Sequence, residues 1–224
     1  MWTEPLAVIA AHPDDEVLGF GGAIARAAAA GASVRILILA TGAASRGGDA
    51  KAAIKILRQH AARAAETLGV PEPAFADFPD NRMDTVPLLD VVQRIEAFLG
   101  EAPSASVLTH HAGDLNIDHR IAAQAVLTAC RPLPGAPVRR ILAGEVPSSS
   151  EWAGEADRFV PTRYVDIAAV LERKLAALAC YEGELRNFPH PRSIEAVRAL
   201  AQWRGAEAGL HAAEAYRVVR EIDD

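Results

Sequence analysis

The chain is short of cysteine, of positive charge and of long apolar runs, and each shortage removes a class of protein. Its two cysteines, Cys130 and Cys180, stand far apart in helix-like stretches. That excludes a thiolate metal cluster or a redox pair and reads as buried free thiols. Acidic residues outnumber basic ones, 29 to 23, for a formal net charge of −6. Such a balance argues against a polyanion-binding surface and against a nucleic-acid partner. The opening "MWTEPLAVIA" has no basic segment ahead of its short apolar run. The sequence therefore reads as a soluble, cytoplasmic protein with no integral membrane segment. Internal repeats, low-complexity tails and linkers are missing too, which points to a single domain over 1–224.

What is present is a large stock of core residues: half of the 224 are hydrophobic, enough for one substantial interior. Apolar runs at 6–11, 33–41, 73–78 and 105–110 read as buried strands. Between them, helical spacing appears at 19–30, 51–68, 87–99 and 119–131. Strand and helix in alternation, joined by short links, predict an α/β, Rossmann-like fold with a mainly parallel sheet and helices on both faces. The core spans about 5–146. Further strands are expected at 139–146 and 163–167, a helix at about 167–182, and one or two helices over 193–220. The part from 147 to 224 is expected to shape the substrate site as a helical lid, and the oligomeric state is left open.

Ionisable groups gather where strands end. The first strand runs into "HPDDE" at 12–16, and the fourth into "THHAGDLNIDHR" at 109–120. In an open parallel sheet ligands bind at the carboxyl edge, so adjacent first and fourth strands would bring the two loops together. His12, Asp15 and His119 then make a His-Asp-His set of the kind that holds a hydrolytic zinc ion with one open position. Asp14 stays free as a general base toward the zinc-held water, whose pKa falls to roughly 7. The plainer alternative is that Asp14 and Asp15 cap the following helix, with Asp118 doing the same before His119. His110 and His111 read as strand-end structure or as members of the site. The "GFGGA" at 19–23 lacks the spacing of a dinucleotide turn and reads as close packing.

"AHPDDE", Thr41-x-type turn "TG", "RAAETLGV" at 63–70, the late "DH" and the C-terminal "HAAEAYRVVR" together resemble the LmbE-like/PIG-L family of metal-dependent N-deacetylases. The resemblance runs from about residue 5 to that last segment, which is similar to the family's final helix. It implies a Rossmann-like fold and hydrolysis of an N-acetyl group from an amino sugar or sugar conjugate, a small-molecule partner. Zinc is the implied cofactor, with ferrous iron (Fe2+) as the alternative. His12, Asp15 and His119 match the ligands and Asp14 the base. The family's first histidine of H-x-D-H is replaced here by Asn116, whose amide donates a hydrogen bond but neither charge nor proton. His190 in "NFPHPRS" is then the first candidate for the acid that protonates the leaving amine, His111 the second, and Asp14 itself the third. Asp114 and Asp118 are expected to support the loop or touch substrate, Arg46 and Arg192 to meet an anionic substrate group, and Asp80 to bind sugar hydroxyls. Hydrolysis of another amide or ester, or a degenerate sugar-binding site, are the competing readings.

Overall fold

A computed structural model describes residues 3–42 and 50–223. Arg46 lies outside them. The strands are β1 (Leu6–Ala10), β2 (Val34–Ala40), β3 (Ala74–Phe78), β4 (Ser106–His110), β5 (Arg140–Gly144), β6 (Arg163–Asp166) and β7 (Ala213–Glu221). The helices are α1 (Asp15–Ala29), α2 (Ala50–Leu68), α3 (Leu88–Glu101), α4 (Ile117–Ala129), α5 (Leu171–Ala179) and α6 (Ile194–Glu207). One seven-stranded sheet runs in the order β3-β2-β1-β4-β5-β7-β6, parallel from β3 to β5 and antiparallel at β7 and β6.

Alternation along β1 divides the interior. Leu6, Val8 and Ala10 face a core built with α1, α2, α5 and α6, while Ala7 and Ile9 face one built with α3 and α4. A central strand buried on both sides explains why it reads as an unbroken apolar run. The glycines of α1 serve packing, as expected. A Cβ on Gly22 would lie 2.6 Å from the Ile167 side chain, and its N–H donates to Glu214 at 2.6 Å. Among the described residues, no helix is long and apolar enough to cross a membrane.

The α/β architecture and the parallel core agree with the sequence-based expectation; three local readings are corrected. The last segment, "AEAYRVVRE", is not a helix but β7, paired with both β5 and β6. Its alanine, glutamate and arginine favour helix locally, but inserting between two open strand edges satisfies a ladder on each side, and tertiary pairing overrides propensity. The C-terminal part is thus half sheet: α5 and α6 cover the first face, and β7 and β6 extend the sheet. Helix α1 begins at Asp15, four residues before its expected start, because Asp15 and Glu16 suit the positive end of the helix dipole. Helix α4 begins at Ile117 with Asn116, not Asp118, as its cap: Asn116 Oδ1 accepts from the Asp118 N–H at 2.8 Å.

Candidate metal centre

From β1 the chain runs outward to β2 and β3; from β4 it turns the opposite way to β5. The β1–β4 boundary is therefore the switch point of the sheet, where a crevice opens at the carboxyl edge. His12, Asp15 and His119 converge there, with one potential ligand atom from each lying within 4.8 Å of the others. Asp15 Oδ2 lies 3.2 Å from His12 Nδ1 and 3.1 Å from His119 Nε2. The turn that brings them together is tight. The His12 N–H donates to Asp15 Oδ2 at 2.9 Å, and Asp14 adopts φ 107°, ψ −28°, a conformation L-residues rarely take outside constrained sites. Gly42, at φ +73°, lets β2's exit pack on this turn; a Cβ there would lie 2.7 Å from Pro13.

Each imidazole is oriented from behind. His12 Nε2 is 3.0 Å from Asp118 and 3.6 Å from Asp80, and Asp118 is itself fixed by the Met83 N–H at 2.9 Å. His119 Nδ1 is 3.1 Å from Asp114 Oδ1, and Asp114 is held by the hydroxyls of Ser149 and Ser150. Carboxylates behind ligating histidines fix the ring and raise its basicity. An Asp114→Asn protein is expected to bind zinc about 10–100-fold more weakly; unchanged affinity in a chelator-competition titration would remove this role. Asp80 thus stands beside His12, with Asn81 Nδ2 donating to it at 3.1 Å.

The electrostatics follow from crowding. Burial alone would lower the His12 pKa, but hydrogen bonds to Asp118 and Asp15 overcome it and hold the ring up to about 10. Burial works the same way on His119, which the charge of Asp15 and the bond to Asp114 raise. Burial would raise Asp15, yet the two imidazoles hold it well below the carboxylate range. Asp14 is pushed well above that range by burial, against the opposing pull of Arg192. Asp15 Oδ1 is buried without a partner, and buried carboxylates need a counter-charge. Two imidazole nitrogens and a carboxylate oxygen form the donor set of a borderline cation, so the residues fit a divalent metal.

Other expected residues fall elsewhere. Arg192 reaches Asp14 Oδ2 with Nη1 at 3.0 Å and Ser148 Oγ with Nε at 2.6 Å. Its guanidinium is engaged with the protein's own groups. His190 sits on the same loop, its Nδ1 accepting from the Arg192 N–H at 3.1 Å. Asn116 spends its carbonyl as the α4 cap and donates from Nδ2 to Asn81 at 3.1 Å. His111 points away, donating from Nε2 to the Asp157 carbonyl at 2.8 Å. Sequence reasoning missed the partners of the centre more than its members. His110 Nε2 accepts from the Ala11 N–H at 2.7 Å and its ring stacks on His119 with centroids 4.0 Å apart. Burial lowers that ring's pKa to about 3, so it is neutral. Glu16, bonded to Tyr181, braces Asp14 from α1 through its 3.0 Å bond from the Asp14 N–H. The doublet "HH" was the one available signal for His110; nothing near Ser149, Ser150 or Tyr181 marks them.

Fold and site together define a Rossmann-like α/β protein carrying a candidate His-Asp-His metal centre at its switch point. The chain belongs to the PIG-L (LmbE-like) deacetylase family: the profile described as GlcNAc-PI de-N-acetylase matches residues 7–130. It is 30% identical over 151 residues to a protein of Escherichia coli K12 named uncharacterized deacetylase YaiS, covering 64% of this chain and 75% of that one. Diacetylchitobiose deacetylase of Thermococcus kodakarensis is 28% identical over 94% of this chain and 81% of its own length. In structure, the N,N'-diacetylchitobiose deacetylase of Pyrococcus horikoshii aligns over 97% of this chain and 84% of that one at a TM-score of 0.80 and 18% identity. The 4-carboxy-2-hydroxymuconate hydratase GalB of Pseudomonas putida aligns equally well, over 99% and 98%, at a TM-score of 0.80 and 24% identity. The last two likenesses speak for the fold alone.

Proposed function

We propose that this protein hydrolyses the N-acetyl group of an amino sugar or sugar conjugate, with His12, Asp15 and His119 holding a zinc ion (or Fe2+) and Asp14 acting as general base. The observation that carries the reading is the convergence of these three residues at the sheet's switch point, with the carboxyl of Asp14, outside the set, beside Asp15 in the chain. A bound zinc ion supplies a Lewis acid for the acetamide carbonyl and lowers the pKa of water to about 7. The rest falls to the chain. Asp14 accepts the proton of the attacking water, and Arg192, 3.0 Å away, fixes its direction. Asp114 and Asp118 keep the imidazoles aimed. An Asn116 amide turned from Asn81 toward the substrate would donate to the developing oxyanion.

For the acid that releases the amine, the same carboxyl is the best-supported choice. Burial favours its protonated form, whereas His111 is bonded to Asp157 and His190 to its own loop. Acetate and a free amine are the expected products.

Two measurements test the reading. Elemental analysis should find about one zinc or iron per chain, lost in His119→Ala, and a panel of N-acetylated sugars should yield acetate. Absence of metal after reconstitution would refute the centre; conversion of substrate without acetate would reassign the bond, to another amide or ester or to a hydration. Because His12 holds its proton up to about 10 without metal, uptake must displace protons. Apparent metal affinity is therefore expected to fall as pH is lowered, measured by titration in buffers of different ionisation enthalpy.

A further inference from the structure

On the second face of the sheet the helical layer ends at α4, and beyond it lies a cleft of about 430 Å³. Strand alternation sets its floor. Val107 and Ile141 join the core under α3 and α4, so Thr109 and Ala143, two residues further along, face the same side. Arg217 pairs with Ala143 across the β5–β7 ladder and shares that face with Val219. Leu127 of α4 forms a wall, and segments 111–113 and 156–158 close one end.

The fold leaves two features of this cleft unused. Arg158 and Arg217 both line the cleft, and among the described residues neither guanidinium has an ion pair or hydrogen bond. One exposed arginine without a partner is ordinary; two on one cleft, in a chain of net charge −6, place two uncompensated positive charges together. The rest of the lining mixes the apolar Leu127, Ile141, Ala143 and Val219 with the polar His111 and Asp157. The volume is that of a small-molecule site, about 300–1,000 Å³.

We infer that this cleft binds a small amphipathic anion, its apolar body on Ile141, Ala143, Leu127 and Val219 and its carboxylate or phosphate held by Arg158 and Arg217. None of His12, Asp15 and His119 lines it, so it is distinct from the metal centre. It is not isolated from that centre. His110 lines the cleft and stacks on His119. Gly113 packs so closely on Asp157 that a Cβ would lie 2.6 Å from its carbonyl oxygen, and the next residue is Asp114, the partner of His119. An occupant is placed to act as an effector of the centre.

Calorimetric titration of the full-length protein with phenyl phosphate and with phenylacetate tests this, with phenylacetamide as the uncharged control. At least one anion is expected to bind at a single site, the amide not to bind, and the preferred anion to name the head group. Binding should weaken at least about tenfold in an Arg158→Ala/Arg217→Ala protein. No binding by either anion, or equal binding of the amide, overturns the inference. So does binding that persists in the double arginine variant and disappears in His119→Ala, because it then belongs to the metal centre. A mass by light scattering that is a multiple of the chain's and falls on Arg217→Ala would assign the face to a second copy instead.

Discussion

An Asp14→Asn protein is expected to take up its metal like the unaltered chain and to lose about 10²–10⁴ of its turnover, the usual contribution of a positioned acid–base group. The two effects separate because Asp14 is adjacent to the ligands without being one of them. Its carboxylate faces Arg192 at 3.0 Å, while the proposed metal set is His12, Asp15 and His119. Asparagine suits the test. It is nearly isosteric, its amide oxygen still accepts from Arg192, and among non-glycine residues it tolerates positive φ best, as the φ of 107° requires. Removal of the proton acceptor is then the main change. Single-turnover kinetics with elemental analysis on the same preparation decides the matter: full activity would end the base assignment, and loss of metal would show that Asp14 is needed to form the centre. Arg192→Gln is expected to act more mildly, lowering kcat by roughly tenfold and shifting its pH profile, since it removes the direction of the base and not the base.

A second large effect is expected far from the chemistry, in a Lys174→Met protein that should lose about 3–5 kcal/mol of stability. Lys174 and Glu214 are buried, 4% and 5% exposed, and joined at 2.6 Å. Glu214 also accepts from the N–H groups of Gly22 and Ala23 and from the Tyr216 hydroxyl; Lys174 also donates to the Leu18 carbonyl at 2.9 Å. One ion pair thus ties α1, α5 and β7. Methionine keeps the length of the side chain and deletes the charge, leaving a carboxylate in an apolar interior with too little compensation. Denaturant midpoints at unchanged slope measure the loss. Adding Glu214→Gln should restore much of it, since both charges are then gone. A loss below about 1 kcal/mol would mean that the hydrogen bonds alone carry Glu214.

The parallel half of the fold and the members of the candidate metal centre were legible in the sequence, for one reason: both are local. Leu6 to Ala10 announces a doubly buried strand by composition, and "HPDDE" announces a strand-end site by placing charge where burial has just ended. The adjacency of β1 and β4, needed for His119 to meet Asp15, was a condition of the reading that the strand order meets. What could not be read depends on contacts between distant segments. Helix-favouring residues at 213–221 become β7 only because β5 and β6 both present open edges. Arg192 looked like a cation for substrate; its partner, Asp14, is 178 residues away. His110 carried no pattern beyond its neighbour, and its stacking on His119 exists only once two loops are folded together.

That division has a practical side. The segment matched by the family profile, 7–130, contains every proposed metal ligand and the carboxylates nearest them, Asp114 and Asp118, yet several groups around these come from later in the chain. Arg192 holds Asp14, Tyr181 holds Glu16, and Ser149 and Ser150 hold Asp114. Exchanging 147–224 between relatives would change these supports without altering a single proposed metal-binding atom, whereas 7–130 alone would leave Asp14, Glu16 and Asp114 without them.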